Sequence, residues 1–419
     1  MVIQERIQIR PAHLSGTVQI VPSKSHLHRI LICAAQGILK GDLKELTVSI
    51  PRMASEDVDV TLDCIEALGV RVFRSETELH LQLGETQTDT PVLHCRESGS
   101  SLRFLLPVAG TQAKSFRMTG KGRLPKRPMG LFAQVLGEKG LAFTQEGADF
   151  LPVHVAGCLQ TGVYTLPGDV SSQYISGLLM ALPALSGRSE ICLTTQIQSA
   201  PYIEMTLATL REFGVQWQGS VEEGHFTIHG PVAFKIARAV CPEGDWSSGA
   251  FWVGAKALGA EVEIQGLSAT STQGDKAIVE LCAGVGNGAC LDVQHVPDLV
   301  PILAVVCAFA KGPTTLTGTA RLRLKESDRV QSVKEMIENM GGTVTALEDC
   351  MIIEGKGALR GGTVDSYGDH RIAMAAAIAG CFSQEGVTIV NPYVTDKSYP
   401  GFYQDLQNLG GNIYGSNLR

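Results

Sequence analysis

Apolar and polar positions along this chain repeat on a long period. IEALGVRVF (65–73), VLGEKGLAF (135–143), LREFGVQW (210–217), MIENMGGTV (336–344) and LQNLGGNI (406–413) each close a helix-like run with Gly and pass into a strand-like pattern. A weaker copy, LCAGVGNGACLDV, covers 281–293. The glycines stand at 69, 140, 214, 286, 341 and 410, in steps of 71, 74, 72, 55 and 69. Each is predicted to end its helix in the left-handed conformation, which only Gly adopts cheaply. A second landmark keeps the same rhythm. Six polar or Ser-rich turns open apolar helices: SKSHLHRILICAAQG, ESGSSLRFLLPVAG, VSSQYISGLLMALP, GDWSSGAFWVGAKALG, VPDLVPILAVVCAFAKG and YGDHRIAMAAAIAGCF. With Ser25, Gly99, Ser172, Trp246, Asp298 and His370 as markers, the steps are 74, 73, 74, 52 and 72. The pattern predicts six repeats, each reading strand, buried helix, strand, amphipathic helix, strand pair. The first helix of each is apolar nearly all round, which predicts burial.

Three repeats per half give two similar domains of an α/β (α+β) fold, with a boundary near residue 241, where ARAVCPEGD changes the composition. No linker is Gly/Ser-rich, so the crossings between halves are short. Composition adds exclusions. With 44% apolar and 18% charged residues the chain is globular rather than disordered. A net charge of −7 counts against a dedicated nucleic-acid binder. The longest apolar run, Leu299 to Ala310, has 12 residues, short of the roughly 18–20 that cross a bilayer. The first ten residues show no apolar signal core. Eleven cysteines, an odd number without C-x-x-C, read as reduced thiols of a cytoplasmic protein, not as a disulfide framework or a zinc site.

The chemistry gathers at helix starts. A helix N-terminus offers unpaired N–H groups and partial positive charge to an anion. Here the starts also carry cations: Lys24, Ser25 (a natural N-cap) and Arg29 at the first, Gly99, Ser100 and Arg103 at the second, Asp369, His370 and Arg371 at the sixth. Ser171, Ser172 and Gln173 mark the third. The second helices add Arg127, then Ser199 and Tyr202, then Lys325, Glu326 and Arg329, and finally Lys397. Each signal alone is weak: a Lys-Ser is usually a cap, a lone Arg a solvated charge. At corresponding points of a repeat they suggest a ligand with several anionic groups, since Arg pairs planar carboxylates and phosphates in bidentate fashion. His26 and His28 are two apart and face different ways on a helix, so no metal pair is expected. No Walker A, H-E-x-x-H or dinucleotide fingerprint occurs in its required context. Asp245, in GDWSSG, reads as a structural cap.

VPSKSHLHR, ESGSSLR, KRPMG, VSSQYISGLLMALP, SAPYIEMT, RLRLKESDR, GDHRIAMA and TDKSYPGF occur in this order. In this the chain resembles the 5-enolpyruvylshikimate-3-phosphate synthase family of enolpyruvyl transferases, over nearly its whole length. The resemblance implies two globular domains, each of three βαβαββ units, with the active site in the cleft between them. By that analogy one domain is 23–241, binding mainly shikimate 3-phosphate, and the other is 1–22 plus 242–419. The implied reaction moves the carboxyvinyl group of phosphoenolpyruvate onto the 5-hydroxyl of shikimate 3-phosphate through a tetrahedral intermediate. It calls for no metal, redox cofactor or nucleotide, and the implied enzyme is a cytoplasmic monomer without a membrane or nucleic-acid partner.

Carried over motif by motif, Ser25 and Arg29 hold the shikimate carboxylate. Ser171, Ser172, Ser199 and Tyr202 surround its ring and phosphate, and Gln173 touches both substrates. Lys24, Gly99, Arg127, Arg329, Arg371 and Lys397 bind phosphoenolpyruvate, with His370 beside that site. Asp298 takes the 5-hydroxyl proton, Lys325 stands at the neighbouring hydroxyl, and Glu326 exchanges a proton at the methylene. Glu326 would have to be buried or coupled to another group to act as an acid near neutral pH. Pro22, His28 and Glu97 depart from the family's usual Gly, Asn and Asn. Glu97 is expected to cap a helix or pair with Arg103 rather than enter the site. Three rivals remain: the sister transferase acting on a UDP-amino sugar, disfavoured by Lys24-Ser25 and by the lack of Cys in GKGRLPKRP; a non-catalytic anion-binding repeat protein; and an RNA-end-processing enzyme of related build.

Overall fold

The computed structural model describes residues 5–415 except 51, 53, 54, 86, 87, 237 and 238. Residues 1–4 and, in the boundary segment, Ala237 and Arg238 therefore lie outside the described residues. The chain forms two compact units, one of Pro22–Pro242 and one of Glu243–Arg419 joined by the residues up to Val21.

Two repeats of the Pro22–Pro242 unit show the whole predicted order. In the first of these, strand Val92–His94 leads through helix Gly99–Gln112 to the parallel strand Ser115–Thr119. Helix Gly130–Gly137 follows, then strands Leu141–Gln145 and Val153–Gly157, with the latter lying antiparallel between Ser115–Thr119 and Leu141–Gln145. Strands Val163–Leu166, Gly187–Leu193, Gln218–Ser220 and His225–Gly230, with helices Ser172–Ala181 and Ala200–Glu212, repeat this arrangement. A parallel pair cannot be closed by a tight turn, so each first helix serves as its crossover. The remaining repeat, with helices Lys24–Leu39 and Glu56–Ala67, has a sheet of three strands, and Val240 bridges Val48 in parallel where a first strand would lie.

In the other unit the repeat spanning Ala289–Lys356 is complete. The last repeat borrows from the N-terminus: strand Arg6–Arg10 inserts between Val387–Val390 and Asn412–Tyr414. Strand Ser15–Gln19 likewise pairs in parallel with Glu261–Gln265 across helix Trp246–Ala257. Among the described residues that repeat has no strand pair after helix Ile278–Ala283, which accounts for its short step of 52 residues.

The apolar helices are buried as their all-round hydrophobicity predicts. The Leu299–Ala310 run becomes helix Val300–Phe309, buried from Val300 through Ala308. A Leu303→Ala substitution there would cost about 2–5 kcal/mol, because a packed core collapses only partly around the gap. All six repeat glycines have positive φ, between 79° and 108°. Among the described residues no helix is long and apolar enough to cross a membrane.

One helix contact positions functional groups directly. Pro107 lies inside helix Gly99–Gln112 and has no N–H to give the Arg103 carbonyl one turn earlier. Helix Ser172–Ala181 packs on that exposed carbonyl through Gly177, where a β-carbon would come within 2.5 Å of the oxygen. One turn ahead of Gly177, Gln173 is thereby brought onto the start of the neighbouring helix.

Candidate active site

In the Pro22–Pro242 unit the first helix of each repeat is held by a serine cap. Ser23, not Ser25, caps helix Lys24–Leu39, accepting from the His26 amide over 3.4 Å. Both serines of the S-K-S turn qualify chemically; the helix begins two residues earlier than expected, which leaves Ser25 in its first turn. Ser98 caps the second helix and Ser171 the third. The cap beside Glu97 is thus Ser98, and the Glu97 carboxylate lies over Gly122, whose φ of +60° and close contact leave no room for a side chain.

Arg29 is the buried centre of this constellation. It donates from Nε to Thr206 Oγ1 (2.7 Å), from Nη1 to the Ser25 carbonyl (2.6 Å), and from Nη2 to the Tyr202 carbonyl (2.8 Å) and Ser176 Oγ (3.4 Å). It thus ties Ser25 and Tyr202 together. All these acceptors are neutral, and burial lowers the guanidinium to about 10. A buried cation without a counter-charge is expensive, and an anionic ligand would relieve that cost. Lys24, by contrast, has Asp57 at 2.8 Å. Gln173 donates to Ser100 Oγ (3.0 Å) and accepts from Arg103 (2.6 Å). Ser172 and Ser199 are nearly buried, and Ser199 is held at φ 58°, in the left-handed region. Arg127 lies across Gly99, where a β-carbon would stand 2.5 Å from its Nη1.

The Glu243–Arg419 unit carries a network centred on Asp298. Oδ1 of Asp298 accepts from Arg329 Nη1 (2.6 Å) and lies 3.7 Å from Lys325 Nζ, while Oδ2 accepts from Arg371 Nη2 (3.0 Å). Burial pushes the Asp298 carboxyl up, yet Arg371, Lys325 and Arg329 outweigh it and hold the group well below the ordinary range. Burial lowers Lys325, partly offset by Asp298. Arg329, fully buried, also donates from Nε to Asp369 Oδ2 (2.8 Å) and from Nη2 to Glu326 Oε2 (2.8 Å). Longer bonds to the Pro297 carbonyl (3.5 Å) and Asp369 Oδ1 (3.4 Å) complete its five N–H groups. Burial works against its charge, but Asp369, Asp298 and Glu326 raise it well above its usual value. Glu326 is partly exposed rather than buried, and is coupled through Arg329 to Asp298 and Asp369.

Asp369 organises this side. It caps helix His370–Phe382, accepting from the Arg371 amide over 3.0 Å, and accepts from Ser327 Oγ over 3.1 Å. His370 is buried in the same first turn, and Lys397 Nζ reaches the Gly368 carbonyl beside it at 3.3 Å. Sequence reasoning took Asp369 as a helix mark only and did not single out Asp57. Asp57 partners a residue 33 positions away and Asp369 one 40 positions away. Their signal in the sequence is only an acidic residue at a helix start.

The family model of EPSP synthase (3-phosphoshikimate 1-carboxyvinyltransferase) matches residues 9–289 and 283–406. A 3-phosphoshikimate 1-carboxyvinyltransferase of Clostridium kluyveri is 37% identical over 425 residues, covering 97% of this chain and 98% of its own. That of Clostridium acetobutylicum is 35% identical over 427 residues, with 97% and 98% covered. An EPSP synthase structure from Acinetobacter baumannii superposes with a TM-score of 0.80 at 26% identity, covering 99% of this chain and all of that one. Sequence and structure agree across both compact units: the chain belongs to the EPSP synthase (3-phosphoshikimate 1-carboxyvinyltransferase) family.

Proposed function

We propose that the two constellations serve one reaction, that of the family. The chain transfers the carboxyvinyl group of phosphoenolpyruvate to the 5-hydroxyl of shikimate 3-phosphate and releases phosphate, a step of the shikimate pathway. In this reading Ser25 and Arg29 hold the shikimate carboxylate, which gives a negative partner to a guanidinium whose acceptors among the described residues are all neutral. Ser171, Ser172, Ser199 and Tyr202 hold the ring and phosphate, and Gln173 contacts both substrates. Lys24, the Gly99 backbone, Arg127, His370, Arg371 and Lys397 receive phosphoenolpyruvate.

The observation that carries the reading is the setting of Asp298. Three cations keep it ionised, as a base must be, but also make it weakly basic. Anionic substrates meeting Arg371, Arg329 and Lys325 draw off that positive field, so Asp298 becomes a stronger base when the 5-hydroxyl is in place. Lys325 stands ready for the neighbouring hydroxyl. Arg329 has all five N–H groups engaged, so a phosphoenolpyruvate carboxylate gains it by displacing Glu326 from Nη2. The displaced Glu326 is then available for proton exchange at the methylene carbon. The same reading takes the enzyme to be a cytoplasmic monomer; eleven free thiols support the reducing compartment.

The test is a coupled phosphate-release assay. Phosphate should appear only with both substrates present. No release from that pair, with the protein shown to be folded, would end this reading.

A further inference from the structure

Glu190, Cys192 and His225 belong to none of the motifs and have no role in the assignments above. Glu190 and Cys192 are alternate residues of strand Gly187–Leu193, so their side chains leave the same face of the sheet. His225, which opens strand His225–Gly230, lies directly opposite Cys192 in the antiparallel ladder and diagonal to Glu190. The alternate positions Ile191 and Phe226 are fully buried, in the core that also holds Ile175 and Leu178 of helix Ser172–Ala181. The trio therefore stands on the sheet face turned away from that core, half-buried and within reach of solvent.

The donor atoms converge. Oε2 of Glu190 is 3.1 Å from Nε2 of His225. Carboxylate, thiol and imidazole donors of the three residues all lie within 4.8 Å of one another, and among the described residues no other trio of His, Cys, Asp or Glu does this. Arg188 holds the second carboxylate oxygen, Oε1, at 3.1 Å and so turns Oε2 toward His225. Outer partners of this kind orient ligands at metal sites. Around a tetrahedral zinc ion, bonds of about 2.0–2.3 Å set the donors roughly 3.3–3.6 Å apart. Half-buried side chains on neighbouring strands reach that spacing by small rotations, with neither strand moved. A surface His–Glu pair by itself contributes little and needs no thiol at its third corner.

We propose that Glu190, Cys192 and His225 form a binding site for a thiophilic divalent cation, Zn²⁺, which clamps the two strands on the outer face of this sheet. One sulfur, one nitrogen and one oxygen donor suit zinc, whereas Mg²⁺ and Ca²⁺ take oxygen donors. Cys192 binds as thiolate, so its proton passes to solvent, and water fills the fourth position. The ion takes no part in carboxyvinyl transfer, and the site does not depend on that reaction. The expectation of no zinc site rested on the lack of C-x-x-C. A single Cys that the fold joins to a His 35 residues from its Glu partner escapes that test.

The experiment uses the full chain, stripped of metal by a chelator, kept reduced, and titrated with Zn²⁺ against a chromophoric competitor. The wild type should bind one Zn²⁺ with a Kd tighter than about 10 µM. Cys192→Ser and His225→Ala should each weaken binding by about 100-fold. Glu190→Gln, which keeps an oxygen donor but not the charge, should weaken it by about 10-fold. Co²⁺ in place of Zn²⁺ should give thiolate charge-transfer absorption in the wild type, lost in Cys192→Ser. Circular dichroism shows whether each variant is folded. Wild-type binding weaker than about 10 µM would overturn the proposal. So would a loss below about 10-fold in Cys192→Ser, which would put the ion on other thiols such as the exposed Cys158, Cys241 and Cys290. If Cys192→Ser does not fold, His225→Ala decides by the same criterion.

Discussion

A β-carbon on Gly99 would stand 2.5 Å from Nη1 of Arg127 and 3.4 Å from Nη1 of Arg103. The missing side chain at 99 is therefore the seat of a cation, not only an opening for backbone. Gly99→Ala must push the Arg127 guanidinium aside. The expected result is a rise of about 10-fold in KM for phosphoenolpyruvate, with a smaller change in the Kd for shikimate 3-phosphate. Steady-state kinetics and calorimetry on the variant check this; an unchanged KM would mean that Arg127 does not hold phosphoenolpyruvate.

Arg29 makes the opposite split. Its fork spans Thr206, the Ser25 carbonyl and the Tyr202 carbonyl, a geometry that a lysine ammonium cannot reproduce. Arg29→Lys should raise the Kd for shikimate 3-phosphate roughly 10–100-fold, and Arg29→Ala more, while KM for phosphoenolpyruvate moves less. Shikimate 3-phosphate should raise the Tm of the wild type but not that of Arg29→Ala. Equal thermal shifts in both would contradict the assignment.

His28 predicts a pH dependence of stability. It is fully buried against Thr61, 2.7 Å from Nδ1, and burial, with Lys24 and Arg29 adding to it against Asp57, lowers it to about 3. As pH falls below about 6.5 the unfolded chain takes up a proton that the folded one refuses, so folding stability is lost in that direction. By about pH 4 the loss amounts to on the order of 3 kcal/mol. His26, lowered to about 4 by burial and Arg29, acts with the same sign. Urea unfolding at about pH 7 and pH 4.5 should show His28→Asn losing less stability than the wild type. An equal loss in both would remove His28 as a cause.

The repeats were readable because their punctuation is local. A helix ending in left-handed Gly and a polar cap opening an apolar helix each need one residue type at one position, and Gly69, Gly140 and Gly214 all show the required φ. The return of residues 1–22 to the second unit followed from the family resemblance and not from local pattern: nothing near Ile7 or Val18 says that their partners are Ile389 and Ile264, since those pairings depend on contacts across the whole chain. The site divides the same way. Cations announce themselves within motifs, whereas the acids that orient them do not. Asp369 looks like any N-cap until it is found under Arg329. Ser25 was misplaced as a cap because Ser23 offers the same chemistry two residues away.

The central claim is that Asp298, ionised between Arg329 and Arg371, takes the 5-hydroxyl proton. Asp298→Asn keeps the shape and removes the charge. The decisive measurement is single-turnover phosphate release by this variant, with shikimate 3-phosphate binding followed by calorimetry on the same preparation. The account predicts retained binding and a rate lower by on the order of 10²–10⁴-fold. A rate near that of the wild type, with binding intact, would contradict it.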